Sequence, residues 1–399
     1  MQFIGHTRYS LFIPQSGAWK ASNGSRFQNS EDYRNYLYSD ERMNLREKIF
    51  LEASIPALAK AAEGFDLRHI VSFSESLPER RKDALREAAD IYDFVVLEEL
   101  PDGNQPRDRV ETVKSFLTKG SVFGEYRLDD DDILANDYFR RMAEYVREDL
   151  VGYVISFPLG IEAILANGKA MNLREMHYPM YGLGLLYVCK KLIDGGVKRP
   201  SSSSHTKVDR HNPTILDARS LAYIRFNHSS QDNSMTAEAD AELSRIAASM
   251  EKFPLLREGF DLATHFPTVA DWVVDGSDTL LSGDLAKDKV TLPEQMQGFK
   301  LTLDARFPSS AKPNQYLLSF DLVDSAGNQI PLGRPGLGLG ASTDPNVGYF
   351  RYLASQPGEQ RLKEFIFLPN GVTAASVRLV KWRNDEDVTI RSVRISRLL

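Results

Sequence analysis

Residues 122–134 read VFGEYRLDDDDIL, an apolar run that leads directly into four consecutive aspartates. The part before the aspartates is rich in β-branched and aromatic residues, a composition typical of a buried β-strand. In a parallel sheet, ligands bind beyond the carboxyl ends of the strands. The stretch therefore predicts a strand whose end delivers carboxylates to a ligand site.

Short apolar runs and amphipathic helical patterns alternate through the first 160 residues. This alternation is typical of βαβ units, so we expect an α/β, Rossmann-like fold with a mostly parallel sheet and helices on both faces. A helix is predicted to begin at Ser39 or Asp40 and to extend to Pro56, with acidic residues in its first turn. The predicted strands are residues 2–12, 67–73, 94–97, 122–128 and 151–157.

The pattern changes at about residue 265, where helical periodicity gives way to short alternating runs separated by turn residues. We therefore predict two domains, an α/β domain over residues 1–255 and an all-β, jelly-roll-like β-sandwich over residues 265–399. A helix over residues 236–250 is predicted to close the first domain. Three alternating glycines at 336–340 lack a strand-to-helix context, which favours a flexible loop or strand edge over a phosphate-binding loop.

Composition narrows the function classes. The 399 residues carry a net charge of −6 without a strongly basic stretch, which argues against nucleic-acid binding. The single cysteine, Cys189, stands in an apolar run and is predicted to be buried. No window is long and apolar enough for a membrane-spanning helix, and the first residues lack the pattern of a secretory signal. These features favour the cytoplasm, with room for peripheral membrane association.

The acidic run predicts a metal site, because four adjacent carboxylates repel one another unless a positive charge lies among them. Mg²⁺ and Mn²⁺ prefer carboxylate oxygens and keep positions for water and phosphate. The alternative is a solvated turn in which Asp132 or Asn136 caps a helix over residues 138–146. The ligand spacing excludes an EF-hand.

Other candidates follow the predicted strands at the same edge of the sheet. Arg8 and Ser10 follow the first strand, and Ser74 and Glu75 follow the second. In a nucleotide-binding α/β sheet these positions lie where the base and ribose bind. We predict that they contact a nucleotide.

Residues 127–134 resemble the metal-binding acidic motif of GT-A glycosyltransferases, and in particular a bacterial rhamnosyltransferase-like family. Residues 7–10, the helix over residues 41–56 and residues 154–160 support this resemblance, which covers about residues 1–235. It implies a nucleotide-sugar donor and a Mn²⁺ or Mg²⁺ ion that bridges the donor diphosphate.

The resemblance also implies roles for single residues. Asp129 and Asp131 would form the Asp-x-Asp pair, with Arg127 beside the nucleotide. Because four aspartates leave the register open, Asp130 and Asp132 remain candidates for nucleotide and metal contacts. His228, in a polar loop after an apolar strand, would be a further metal ligand; the alternative is a surface or capping histidine.

An inverting transfer requires a carboxylate that accepts the proton of the acceptor hydroxyl. The candidates are Glu162, Glu175 and Asp209, and we favour Glu175. A retaining enzyme requires no such base, and the sequence does not decide between the two. His205, beside a serine-rich stretch, could close over the diphosphate or be an ordinary polar loop residue.

The leading hypothesis is a metal-dependent glycosyltransferase that acts on a glycan or glycolipid acceptor in cell-envelope or capsular polysaccharide synthesis. The envelope context is implied by the resemblance alone. One alternative is a nucleotidyl- or phosphotransferase that uses the same aspartates, although the glycine-rich basic loop of sugar nucleotidyltransferases does not follow the first strand. Another is a non-catalytic glycan-binding protein that acts through its β-sandwich.

Overall fold

The chain is described here from a computed structural model, over residues 1–14, 27, 29–201, 204–231, 239–274 and 279–398. Contacts divide it into two units, Met1–Asn233 with Phe253–Val273, and Ser234–Lys252 with Val274–Leu399. These bounds differ from the predicted domains, because the first unit extends past residue 255 to Val273. The helix predicted to close the first domain groups with the second.

The strands of the first unit follow the apolar runs of the sequence. They are β1 (Gln2–Arg8), β2 (Asp66–Ser74), β3 (Val95–Leu100), β4 (Val122–Arg127), β5 (Asp132–Leu134), β6 (Val154–Ser156), β7 (Leu159–Ala166), β8 (Lys169–His177), β9 (Leu185–Lys191), β10 (Val197–Lys198), β11 (Thr214–Leu216) and β12 (Tyr223–Asn227).

The α-helices of the described residues are α1 (Ser30–Leu37), α2 (Asp40–Ile49), α3 (Ile55–Ala61), α4 (Glu79–Ile91), α5 (Arg109–Thr112), α6 (Tyr138–Ala143), α7 (Ala239–Met250) and α8 (Leu262–His265). None of them is long and apolar enough to cross a bilayer. Helix α7 belongs to the second unit, where it contacts a strand of that unit, and the other helices belong to the first.

The main sheet of the first unit has the strand order β11-β6-β9-β4-β1-β2-β3, with β10 paired to β9. Strands β1, β2, β3 and β4 are mutually parallel, as predicted. Strand β11 also pairs parallel with β6, and β9 alone among the described strands of this sheet runs antiparallel, to β4, β6 and β10, so the sheet is mostly parallel, as predicted. A second sheet has the order β5-β12-β7-β8.

Apolar residues cover both faces of β1 because its side chains alternate. Phe3 packs in a cluster with Met43 and Leu58 of the helices on one face. Ile4 packs on the opposite face with Phe123 and with Cys189, which is buried as predicted. Both faces of the strand that leads to the site are therefore fixed by core packing.

Gly5 is required by a close approach in the centre of the sheet. A β-carbon at this position would lie 2.2 Å from Nδ1 of His69 and 2.4 Å from the ring of Tyr126. The space that glycine leaves allows His69 Nδ1 and the Tyr126 hydroxyl to hydrogen-bond at 2.9 Å. His69 Nε2 pairs with the Thr7 hydroxyl at 2.9 Å, so both ring nitrogens are satisfied inside the core.

Helices α2 and α3 are joined without a break by a π-turn, Phe50–Ser54. The turn precedes Pro56, which has no N–H to bond the carbonyl of residue 52 and whose ring crowds that carbonyl. The π-turn absorbs one extra residue, so Ser54 lies on the face of Arg46 as if seven residues separated them. The predicted helix therefore continues past Pro56 to Ala61.

The second unit contains two antiparallel sheets, with orders β13-β21-β15-β19 and β14-β20-β16-β18-β17. Leu301 and Leu303 of the first sheet and Leu318 and Phe320 of the second share one buried cluster. The strands are β13 (Thr279–Leu280), β14 (Val290–Met296), β15 (Gly298–Phe307), β16 (Tyr316–Asp324), β17 (Gly340–Ser342), β18 (Gly348–Tyr352), β19 (Gly358–Phe367), β20 (Val372–Lys381) and β21 (Thr389–Arg397).

Candidate functional site

A cavity of about 560 Å³ opens in the first unit at the carboxyl ends of β1 and β4. Its wall combines the four aspartates with five arginines. The described lining residues are Arg8, Ser10, Leu11, Tyr33, Leu37, Arg42, Arg46, Arg127, Asp129, Asp130, Asp131, Asp132, Tyr181, Gly182, Leu183, Ser204, His205, Arg225 and Gln231.

Ser10 fixes the chain after β1 to the acidic run. Its backbone is left-handed, with φ of 45°, two residues after β1 ends at Arg8, so the strand does not reach the predicted residue 12. The Ser10 amide and hydroxyl donate to Oδ2 of Asp130 at 3.2 and 3.4 Å. Arg42 donates to the Ser10 hydroxyl at 2.9 Å and to the Leu37 carbonyl at 3.0 Å.

Arg46 of α2 supplies the positive charge that the acidic run requires. Its guanidinium is 4% exposed; Nη1 bonds Oδ1 of Asp130, and Nη2 lies 3.3 Å from Oδ2 of Asp131. From the next turns of the same helix, the Ser54 hydroxyl donates to the Asp132 carbonyl at 2.6 Å. The repulsion among the aspartates is therefore relieved by a protein cation, and it does not by itself require a metal ion.

The remaining carboxylates of the run have different environments. Asp129 is 42% exposed and accepts from Nη2 and Nε of Arg127 at 2.6 and 2.8 Å. Asp132 is buried, and within the described residues its Oδ1 has no hydrogen-bond partner. Burial, with the charges of Asp131 and Asp129 added, raises the pKa of Asp132 well above its ordinary value.

His228 meets Asp131 from a fully buried position outside the described lining of the cavity. Nε2 of the buried imidazole lies 3.4 Å from Oδ2 of Asp131, while Nδ1 pairs with the Ser230 hydroxyl at 3.0 Å. Burial lowers the pKa of His228, although Asp131 opposes the shift. Burial also disfavours ionisation of Asp131, but Arg46 and His228 outweigh it and lower the pKa of this carboxyl. The fold thus brings His228 to the acidic run, and its role as a metal ligand stays a prediction.

These two side chains could hold a small divalent ion. Across the described part of the chain, no three His, Cys, Asp or Glu side chains are grouped closely enough to form a metal site by themselves. Asp131 and His228 provide one carboxylate oxygen and one imidazole nitrogen at a separation that a single ion can span. Mg²⁺ is often held through one or two carboxylates and takes the rest of its ligands from substrate phosphate and water, and Asp131 supplies one such carboxylate. The pair fits an ion of that kind.

Arg8 and Arg127 line the basic part of the cavity. Burial, together with the nearby charge of Arg127, lowers the pKa of Arg8 to about 10. His205 also lines the cavity, where burial and Arg127 lower its pKa, and its ring contacts Tyr181 edge-on. An anion between Arg8 and Arg127 would relieve the repulsion between the two guanidinium groups.

Two predicted nucleotide contacts, Ser74 and Glu75, are absent from the described lining of the cavity. The Ser74 hydroxyl accepts from the Phe12 amide at 2.9 Å, so it supports the loop that follows β1. A carboxylate oxygen of Glu75 accepts from the Asp102 amide at 3.2 Å. Both residues serve neighbouring backbone at this edge of the sheet.

The three candidate bases also lie outside the described lining. Glu175 accepts from Nε and Nη2 of Arg257 at 2.5 Å each, and these bonds lower its pKa. Asp209 is exposed in a short 3₁₀ turn. Glu162 is buried and accepts from Arg225 at 2.7 Å, one side chain behind the cavity wall.

Arg42, Arg46, Arg225 and Tyr181 were not among the predicted site residues. Arg42 and Arg46 stand four residues apart in the predicted helix, so they share one face of it. That spacing was the available signal, but charged residues on a helix ordinarily face solvent. In the fold Arg46 meets Asp130 and Asp131, and Arg42 meets the Ser10 hydroxyl that bonds Asp130.

Comparison with known proteins gives one family. A family model described as putative rhamnosyl transferase matches residues 2–240. No curated protein matches the sequence.

Three solved structures are similar at low identity. Residues 1–349 of S. aureus TarS in complex with UDP-GlcNAc share 10% identity, with 62% of this chain and 65% of that chain covered and a TM-score of 0.31. This chain thus spans slightly less than two thirds of that structure. The longer S. aureus TarS structure shares 10% identity over 99% of this chain and 84% of that one, with a TM-score of 0.26. The inositol-1-phosphate CTP transferase from T. maritima shares 8% identity over 56% of this chain and 88% of that one, also with a TM-score of 0.26.

Proposed function

Because this chain belongs to the putative rhamnosyl transferase family, a family of glycosyltransferases, we propose that it transfers a sugar from a nucleotide-sugar donor to a glycan acceptor. The proposal includes the fold of each unit: the first unit would be a GT-A domain and the second a jelly-roll-like β-sandwich. Cell-envelope or capsular polysaccharide synthesis in the cytoplasm is the proposed context.

The observation that supports this function best is the convergence of arginines and aspartates in one cavity at the carboxyl edge of the sheet. Ligands of α/β sheets bind at that edge. Arg8 and Arg127 would bind the diphosphate oxygens of the donor, because guanidinium groups form strong charge-assisted hydrogen bonds with phosphate. Asp129, which is partly exposed beside Arg127, would then face the ribose.

Metal dependence is part of the proposal, with Asp131 and His228 as the protein ligands of Mn²⁺ or Mg²⁺. A bound divalent ion would neutralise the charge that develops on the departing nucleoside diphosphate. Ser230 would support ion binding through its hydrogen bond with Nδ1 of His228, since hydrogen bonds behind a ligating imidazole fix the orientation of the ring. Asp130, held by Ser10 and Arg46, would support the run without contacting the ion.

The test is a panel of nucleotide sugars incubated with the full chain and Mn²⁺. Release of nucleoside diphosphate in the presence of a glycan acceptor would support a glycosyltransferase, whereas exchange of pyrophosphate would favour the nucleotidyltransferase alternative. Thermal unfolding identifies the donor in parallel, because a ligand at 100 times its Kd stabilises the native state by about 2.7 kcal/mol. Glycan binding without any nucleotide binding would overturn the proposal in favour of a glycan-binding protein.

A further inference from the structure

Arg46 holds a position that a bound divalent ion would contest. Its Nη2 lies 3.3 Å from Oδ2 of Asp131, and Nε2 of His228 lies 3.4 Å from the same oxygen. One carboxylate oxygen is therefore shared between a resident cation and the imidazole that would complete an ion site. Arg46 also bonds Asp130, which the Ser10 amide anchors, so the guanidinium has a second carboxylate to retain.

We propose that Arg46 is a resident counter-ion that competes with a divalent cation for Asp131, so that tight cation binding depends on a bound diphosphate. This inference rests on the proposed function, because it takes Asp131 and His228 as the cation ligands. Arg46 keeps Asp130 in both states and gives up Asp131 when a diphosphate adds its own negative charge and oxygen ligands.

The electrostatic argument gives the sign. A guanidinium in contact with Asp131 repels a divalent ion at that carboxylate, and the repulsion is strong because both groups are withdrawn from water. With Arg46 present, the charge of the carboxylate is already largely compensated. Without it, Asp130 and Asp131 would repel each other, and a free cation would relieve that repulsion. Loss of Arg46 should therefore strengthen the binding of the free ion.

The geometry of α2 makes this competition a property of the fold. Arg46 is 4% exposed, and the helix that carries it continues through the π-turn to Ser54, which bonds the Asp132 carbonyl at 2.6 Å. The guanidinium is thus held against the acidic run by the same helix that supports the backbone of the run. It is a positioning residue, since it acts through Asp131 and Asp130.

The experiment titrates Mn²⁺ alone into the full chain and follows the free ion by electron paramagnetic resonance. Arg46→Met and Arg46→Gln remove the charge and should bind Mn²⁺ at least about tenfold more tightly than the unmodified chain. Arg46→Lys keeps the charge and should restore weak binding. Adding Asp131→Asn to Arg46→Met should abolish the gain, which ties it to this carboxylate.

Arg81→Met is the matched control. Arg81 is a buried arginine of α4 that pairs with Asp40 and Glu47 of α2, the helix that carries Arg46. It does not contact the aspartates of the run. This control should lose stability without gaining Mn²⁺ affinity. A merely structural role for Arg46 would instead make the neutral variants bind Mn²⁺ more weakly.

The outcomes separate this inference from the proposed function. Neutral Arg46 variants that bind Mn²⁺ no more tightly than the unmodified chain would overturn the counter-ion role. If the variants Asp131→Asn and His228→Gln bind Mn²⁺ as tightly as the unmodified chain, Asp131 and His228 are not the cation ligands, and the proposed function loses its metal site instead. If the unmodified chain binds no free Mn²⁺, the appearance of binding in Arg46→Met supports the inference and its absence overturns it.

Discussion

Oδ2 of Asp131 and Nε2 of His228 lie 3.4 Å apart, although Asp131 follows β4 and His228 follows β12, far along the chain. This relationship connects the acidic run of the sequence with the polar loop after β12. If the two side chains hold a divalent ion, each should be required for its binding.

We therefore expect His228→Gln to weaken Mn²⁺ binding in the presence of a nucleoside diphosphate at least about tenfold, since even changes behind a metal ligand cost 10–100-fold. The measurement is the Mn²⁺ concentration that gives half of the maximal thermal stabilisation. His211→Gln, at an exposed histidine outside the described lining of the cavity, is the control. Equal Mn²⁺ dependence in the two variants would rule out His228 as a ligand.

Arg8→Met should lower kcat/KM for the donor by roughly 10–100-fold, because a hydrogen bond to a charged group contributes about 1.5–3 kcal/mol. The affinity for free nucleoside diphosphates should fall as well, but the affinity for a nucleoside without phosphate should not. Arg86→Met, at an exposed ion pair on α4, is the control and should leave the kinetics unchanged. A uniform loss for phosphorylated and unphosphorylated ligands would contradict a phosphate-binding role.

Ser10 separates side-chain bonding from backbone strain. Ser10→Ala loses the hydroxyl that bonds Asp130 and Arg42, and it keeps a β-carbon at a φ of 45°. Ser10→Gly loses the same hydroxyl but adopts this backbone freely. We expect the glycine variant to be about 1 kcal/mol more stable than the alanine variant, measured by urea unfolding. The reverse order would show that backbone strain at Ser10 is negligible.

Burial lowers the pKa of His69 to about 3, so the folded chain keeps this imidazole neutral where the unfolded chain, with an ordinary histidine pKa of 6.5, takes up a proton. Stability should therefore fall as pH decreases from 6.5 towards 3, by up to about 1.4 kcal/mol per pH unit from this residue. His69→Asn should be less stable at pH 7 but lose less stability between pH 7 and 5. An unchanged slope in His69→Asn would refute the assignment.

Glu175→Gln tests the favoured candidate base. Because the carboxylate is bound by Arg257 outside the described lining of the cavity, we expect kcat to remain within a factor of about three. A general base contributes about 10²–10⁴-fold. A loss of that size, with KM unchanged and the fold intact by circular dichroism, would restore Glu175 to the mechanism.

Much of the fold could be predicted because its signals are local. The apolar runs around Ile70 and Phe123 mark the central strands β2 and β4. The parallel pairing of each with β1 follows from the helices that connect the strands. Strand β9 was missed, since its antiparallel insertion between β4 and β6 depends on distant partners. The family resemblance read from residues 127–134 is confirmed by the family match over residues 2–240.

The site was less predictable because its organisation depends on charges that meet across the fold. The sequence indicated that the aspartates need a positive charge, but it could not show that Arg46 provides it. An arginine in an amphipathic helix is indistinguishable from a solvated one until its partner is known. Ser74 and Glu75 were predicted as nucleotide contacts from their position at the end of a strand alone. In the fold their side chains accept hydrogen bonds from nearby backbone amides instead.

The π-turn before Pro56 sets the rotational phase of the helix behind the acidic run. Deleting one residue between Phe50 and Ser54 would convert the turn to regular α-helix and leave the serine in line with Arg46. Regularising the turn at full length would instead rotate the serine by about 100°, away from the Asp132 carbonyl. Either change would place the proline inside a regular helix, where its ring crowds the carbonyl four residues before it, so both should lower stability.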